Sequence, residues 1–441
     1  MNIMKKVLFI ILSLALFTAC ERKIDEFKVE KGSADFTNFV AVGNSLIAGY
    51  ADGALYHTGQ VYSLPNILAG QFKMAGSGDF VQPMVNSEYG IDFPFFAPKL
   101  VLGYSTDCRG VVSMGPVPAV GARDPLAPVG YRVNNLGIPG AKSFHLLVPG
   151  YAQLNPYYGR FATNAGNAVV QEITPLNPTF FCVWLGDNDV LSYAIAGGAS
   201  DSITNPQLFQ QAMGGVLTTL TATGAKGVIA SIPDITAIPF FTTVPYNGLV
   251  LTQGQADSVN MAMKLYQLPY VYKAGPNPFF VADPTSPHPI FKLRQMQPGE
   301  LVLLTVPQDS LKCSGMGIIN PQTFMPYPIP SKYALTADEV YQIRTATSAY
   351  NSIIAGLADN FGLAMVDMNA KLRDLQAGIV WDGVKLNTKF VTGGAFSLDG
   401  IHLNPRGNAV AANYFIDAVN AKYGSSIPQV NITNYPGVVF P

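Results

Sequence analysis

The chain has 441 residues, of which 49% are hydrophobic and only 12% charged, and its formal net charge is −1 at pH 7. That balance supplies a large core but no basic surface, so it excludes a nucleic-acid partner and a polybasic membrane-binding face. With charge well under the usual share of about 25%, the surface falls to small polar residues and to loops carrying 42 Gly and 33 Pro.

At the N-terminus, Lys5 and Lys6 precede an apolar run from Val7 to Phe17, and the small residues Thr18 and Ala19 lead into Cys20. The run is too short to span a bilayer and has the length of a signal-peptide core. The arrangement resembles a bacterial lipoprotein signal. That resemblance implies removal of residues 1–19, acylation of Cys20, and a cell-envelope protein held to the membrane by its N-terminal lipid. The outer membrane is the expected site, with the chain facing either the periplasm or the exterior. Residues 20–35 are rich in charge and read as a tether between lipid and fold.

From Phe36 to Gly424, short apolar runs ending in turn residues alternate with helical patterns. The runs are Phe39 to Val42, Tyr131 to Leu136, Phe180 to Leu185, Gly227 to Ile232 and Leu363 to Val366. Continuous apolar runs suit strands covered on both faces, and intervening helices imply parallel crossovers. One helix is expected around Phe209, Met213, Val216 and Leu220. A second begins at Thr336, which forms a capping box with Glu339, and runs with apolar spacing to Phe361 and Gly362. A third carries Ala412, Ile416, Val419 and Tyr423 on one face and ends at Gly424. The pattern predicts a doubly wound α/β domain with ligands beyond the carboxyl ends of the strands.

Two long stretches break that rhythm, at about 70–130 and 239–331, and are rich in Pro, Gly and aromatics. Loops of such length are functional or form small subdomains. Residues 425–441 read as an extended tail. Of the cysteines past Cys20, Cys182 lies in an apolar run and is expected as a buried small hydrophobe, while Cys108 and Cys313 are candidates for a disulfide.

The chain contains four histidines, which limits the choice of general base. His402 follows Asp399 by three residues in FSLDGIHLNPRGN, a spacing that lets a carboxylate orient an imidazole, although such a pair also arises by chance. Ser45 follows the first run in FVAVGNSL, at a strand-to-helix turn that offers backbone N–H groups, and on its own reads more readily as a helix cap than as a nucleophile. Gly137 and Gly140 follow the second run, where bare backbone can approach a ligand. Asn188 follows the third, where its amide can donate into the same crevice, and its neighbours Asp187 and Asp189 read as caps or cation ligands. No zinc spacing and no phosphate-binding loop motif is present.

Taken in order, GNSL, NNLGIPG, GDND and DGIH resemble the four blocks of the SGNH/GDSL hydrolase family and span Gly43 to His402. The resemblance implies a flavodoxin-like three-layer α/β/α sandwich with a five-stranded parallel sheet in the order 2-1-3-4-5, interrupted here by the two long insertions. It implies Ser45 as nucleophile, His402 as general base, Asp399 as its orienting partner, and an oxyanion hole from the Ser45 backbone, Gly140 and Asn188. No cofactor and no metal is implied. Asn44 departs from the family's aspartate and Pro139 from a common serine. The implied activity is hydrolysis of carboxylic esters through an acyl-serine, with the aromatic insertions lining an acyl groove or forming a lid. Two alternatives accompany it: a carbohydrate O-acetylesterase, and a surface lipoprotein that uses the fold only for binding.

Overall fold

The computed structural model describes residues 28–441. The signal peptide, Cys20 and the first half of the tether lie outside the described residues. The second half is already part of the fold, because Ser33 N–H donates to the Tyr423 carbonyl and both Ala34 and Phe36 are buried.

A parallel sheet forms the centre. Its strands are β1 (Phe39–Gly43), β2 (Asn135–Gly137), β3 (Phe180–Trp184), β4 (Lys226–Ala230) and β5 (Ala364–Val366), in the spatial order β2-β1-β3-β4-β5. Register runs from Phe39 opposite Phe180 to Gly43 opposite Trp184 in β1 and β3. Every residue of β1 and β3 is buried, as strands covered on both faces must be. The expected second strand from Tyr131 shrinks to three residues. Asn134 N–H donates to the Val81 carbonyl instead of joining the ladder, so only its C=O pairs with β1.

Seven helices matter for the site: α1 (Ser45–Ala48), α2 (Leu64–Lys73), α3 (Asn188–Ile195), α4 (Pro206–Thr221), α5 (Ala337–Asn360), α6 (Met368–Ala377) and α7 (Pro405–Tyr423). Helix α5 starts at the expected capping box, in which Thr336 Oγ1 accepts from Glu339 N–H and Glu339 accepts from Thr336 N–H. Helices α4 and α5 pack together, with Phe209 stacked on Tyr350 at 4.2 Å, and α2 packs with α7. Phe36, Phe72 and Phe180 close the base of the sheet, with ring centroids 4.5–5.5 Å apart.

Both long stretches are structured. The first holds a hairpin of Leu100–Thr106 and Val112–Pro118. In the second, a helix (Gln253–Leu265) and short hairpins enclose their own apolar clusters, one around Phe280 and Leu293, the other around Phe279 and Val302. Cys108, at the hairpin tip, is disulfide-bonded to Cys313, with Cα atoms 6.3 Å apart. The tail carries no regular element beyond a 3-10 turn at Ile432–Asn434, yet it packs on the fold. Ile427 and Ile432 are buried, and the Asn413 and Asn420 side chains of α7 hold the Val430 and Ile427 backbone.

Candidate active site

Ser45 sits where β1 turns into α1. The preceding Asn44 caps that helix, its Oδ1 accepting from Leu46 N–H at 3.0 Å. Across the sheet's carboxyl end, the loop from Phe396 to Leu403 brings His402 and Asp399 to the same point. His402 Nε2 lies 2.8 Å from Ser45 Oγ, and His402 Nδ1 lies 2.8 Å from Asp399 Oδ2. A hydroxyl, an imidazole and a carboxylate thus stand in series although Ser45 and His402 are 357 residues apart. Ser45 and His402 are both buried against the loop, and the Tyr50 ring lies 4.9 Å from the imidazole, restricting its swing.

Asp399 is densely solvated by protein donors. Its Oδ1 accepts from Ser397 Oγ and from the Ile401 and His402 N–H groups, and its Oδ2 accepts from Gly53 N–H at 3.0 Å. Burial by itself raises this carboxyl's pKa. The facing His402 and the backbone donors outweigh burial and hold it well below the usual carboxylate range. It therefore stays ionised and fixes the tautomer that leaves Nε2 as acceptor toward Ser45.

The turns carrying Gly140 and Asn188 are tied to each other. Asn188 Nδ2 donates to the Ala141 carbonyl at 3.0 Å, and Asp189 accepts from both the N–H and the hydroxyl of Ser143 at 2.8 Å. Asn155 anchors the same turn by donating to the Pro139 carbonyl. Gly140 takes φ of +79°, a conformation that disfavours a side chain, and its N–H meets no protein acceptor among the described residues. The Ser45 N–H is likewise uncommitted among the described residues. Gly137 plays a different part from the one expected. A Cβ there would lie 2.3 Å from Ala48 N, so this glycine lets α1 pack on β2 and does not face the cleft.

Asp187 provides neither the helix cap nor the cation ligand considered for it. Its side chain makes no capping bond to α3, and Oδ2 accepts from Asn44 Nδ2 at 2.8 Å in a fully buried pair. Burial pushes its carboxyl up to about 6, against the lowering effect of the Asn44 amide. Asp189 is occupied by Ser143, as above.

Asp52, which no motif in the sequence singles out, also supports the site. Its Oδ1 accepts from Leu398 N–H at 2.8 Å, its Oδ2 accepts from the Tyr56 hydroxyl, and its own N–H donates to Ser397 Oγ. It clamps the Asp399 loop. The signal was the Asp52-Gly53 dipeptide, a turn signature just after the Ser45 block, but nothing local names its partner.

Two spaces meet at Ser45, Asn188 and His402. One is an open outer cleft walled by Tyr50, Tyr157, Leu100 and Pro116, and by Leu304 and Gln308 of the second insertion. The other is an apolar inner channel between α6, α7 and the ends of β1 and β3. Chemically, the arrangement offers an oxygen nucleophile with a base behind it and uncommitted N–H donors beside it.

No protein-family model and no curated protein matches the chain. Among solved structures, a match is LAE5, an alpha/beta hydrolase enzyme from the metagenome of Lake Arreo, Spain. Identity is 12% and the TM-score 0.35, over 88% of this chain and 97% of that one.

Proposed function

We propose that the protein is a serine acylhydrolase of SGNH/GDSL type, built on a flavodoxin-like α/β/α sandwich and acting on carboxylic esters. The observation that carries this reading is the continuous pair of 2.8 Å contacts from Asp399 through His402 to Ser45. In the reaction, His402 Nε2 takes the Ser45 proton as Oγ bonds to the acyl carbon. The Ser45 and Gly140 N–H groups and the Asn188 amide receive the oxyanion. Collapse expels the alcohol, protonated by His402, and leaves an acyl-serine. Water, deprotonated by His402, then releases the acid and restores Ser45. A lipid-like acyl ester suits the apolar space beside Ser45. The tyrosines of the outer cleft, Tyr50 and Tyr157, favour a second reading in which the alcohol is a sugar and the acyl group acetate.

We further propose an envelope lipoprotein anchored through Cys20, as the N-terminal motif implies. The Cys108–Cys313 disulfide supports an oxidising compartment.

Hydrolysis of p-nitrophenyl esters from acetate to palmitate tests the enzyme reading, beside Ser45→Ala and His402→Ala and with fluorophosphonate labelling. We expect turnover in the parent, labelling at Ser45, and loss of both in the variants. Absence of turnover together with absence of labelling would leave a binding protein on a hydrolase-like scaffold.

A further inference from the structure

We propose that the inner channel holds the hydrocarbon chain of the acyl group, which makes the substrate an ester of a medium or long unbranched acid. This rests on the acylhydrolase reading above. The channel begins at Ser45 and Asn188, where an acyl carbonyl has to sit for attack, and runs inward between Leu372 of α6 and Val410 and Tyr414 of α7. Its further walls include Trp184, Ile238 and Phe396. Helices α6 and α7, the ends of β1 and β3 and the loops bearing Ile238 and Phe396 build it, in contrast to the insertions expected to line an acyl groove, which border the outer cleft instead.

Two observations favour a chain as the occupant. The walls past the nucleophile are almost wholly apolar, so the polar alcohol portion is better served by the outer cleft with Thr305 and Gln308. The channel is continuous with the serine, which fits a group bonded to the carbon under attack. Trp184 lies buried in that wall. A methylene moved from water into such a wall favours binding by about fourfold, so kcat/KM is expected to climb with chain length until the channel is full.

Trp184 also provides the readout, because the chain's other tryptophan is Trp381. In Ser45→Ala/Trp381→Phe, titration with 9,10-dibromostearate is expected to quench Trp184 saturably. Adding Ala411→Phe, which fills the channel from α7, is expected to abolish that quenching. Among the p-nitrophenyl esters, Ala411→Phe and the less bulky Leu372→Gln are expected to lower the palmitate-to-acetate ratio of kcat/KM by tenfold or more. An unchanged ratio in the folded variants, or no quenching in the parent, overturns the channel assignment while leaving the esterase reading intact. Saturable quenching in a protein that turns over no ester sustains the chain site and removes the acylhydrolase reading.

Discussion

Asn44 and Asp187 share one buried hydrogen bond, and the burial of its carboxylate sets a pH dependence. The folded-state carboxyl of Asp187, at about 6, is raised above the ordinary aspartate value of about 3.9. The folded protein therefore holds this proton more tightly than the unfolded chain, and stability declines as pH rises from about 4 to about 6. Asp187→Asn removes that titration. It is expected to raise Tm above pH 6 and flatten the slope below it, by up to about 3 kcal/mol. Asn44→Asp does the reverse: it sets two carboxylates against each other, and unfolding at pH 8 should show a loss that shrinks toward pH 5. The double variant Asn44→Asp/Asp187→Asn is expected to recover most of that loss, and additive single effects in the thermodynamic cycle would refute the coupling. Asp399 acts in the opposite sense, because its lowered pKa contributes stability that is present above about pH 4 and lost as pH falls. At the reacting centre, Asn188→Ala is expected to lower kcat about 10²–10³-fold with KM less affected. A KM-only change in steady-state kinetics would remove Asn188 from the oxyanion hole.

At the scale of elements, the two insertions behave as one cover. The Leu100–Thr106/Val112–Pro118 hairpin supplies Leu100 and Pro116 to the outer cleft, the second insertion supplies Leu304 and Gln308, and Cys108–Cys313 ties them together. The bond closes a loop with a sequence separation of 205 residues, and cross-links of this kind commonly contribute about 2–4 kcal/mol. Cys108→Ser/Cys313→Ser should lower Tm by several degrees and open the hairpin to limited proteolysis near residue 108. KM should rise for esters of bulky alcohols more than for small ones. Uniform kinetics across alcohols would mean that the cover does not shape the cleft. Cys182 lies wholly buried in β3, where burial raises its thiol pKa, so it should resist alkylation until the sheet unfolds.

On the scale of the whole molecule, the chain's last residues brace the element that carries the channel wall. Ile427 and Ile432 bury fully against the fold, and α7 side chains hold the tail backbone. Truncation after Gly424 exposes those contacts and is expected to cost about 3–6 kcal/mol from the two isoleucines, at about 1.5–3 each. Urea unfolding measures it, and a midpoint unchanged from the full chain would show that the tail is dispensable. Because α7 starts just after His402, the same truncation is expected to weaken turnover of long-chain esters.

Local chemistry wrote the strand runs, the Thr336 capping box, the glycine ending of α7 and the turns bearing Ser45, Asn188 and His402, because side-chain periodicity and turn residues act over a few positions. Even there the apolar run is longer than β2, because Val81 from a distant loop captures Asn134. The clamp of Asp52 on the Asp399 loop, the buried hydrogen bond between Asn44 and Asp187, the packing duty of Gly137, the buried tail and the inner channel arose only in the folded chain. Each depends on groups tens to hundreds of residues apart meeting at one point, and no local pattern encodes which distant donor, acceptor or apolar wall a side chain will face.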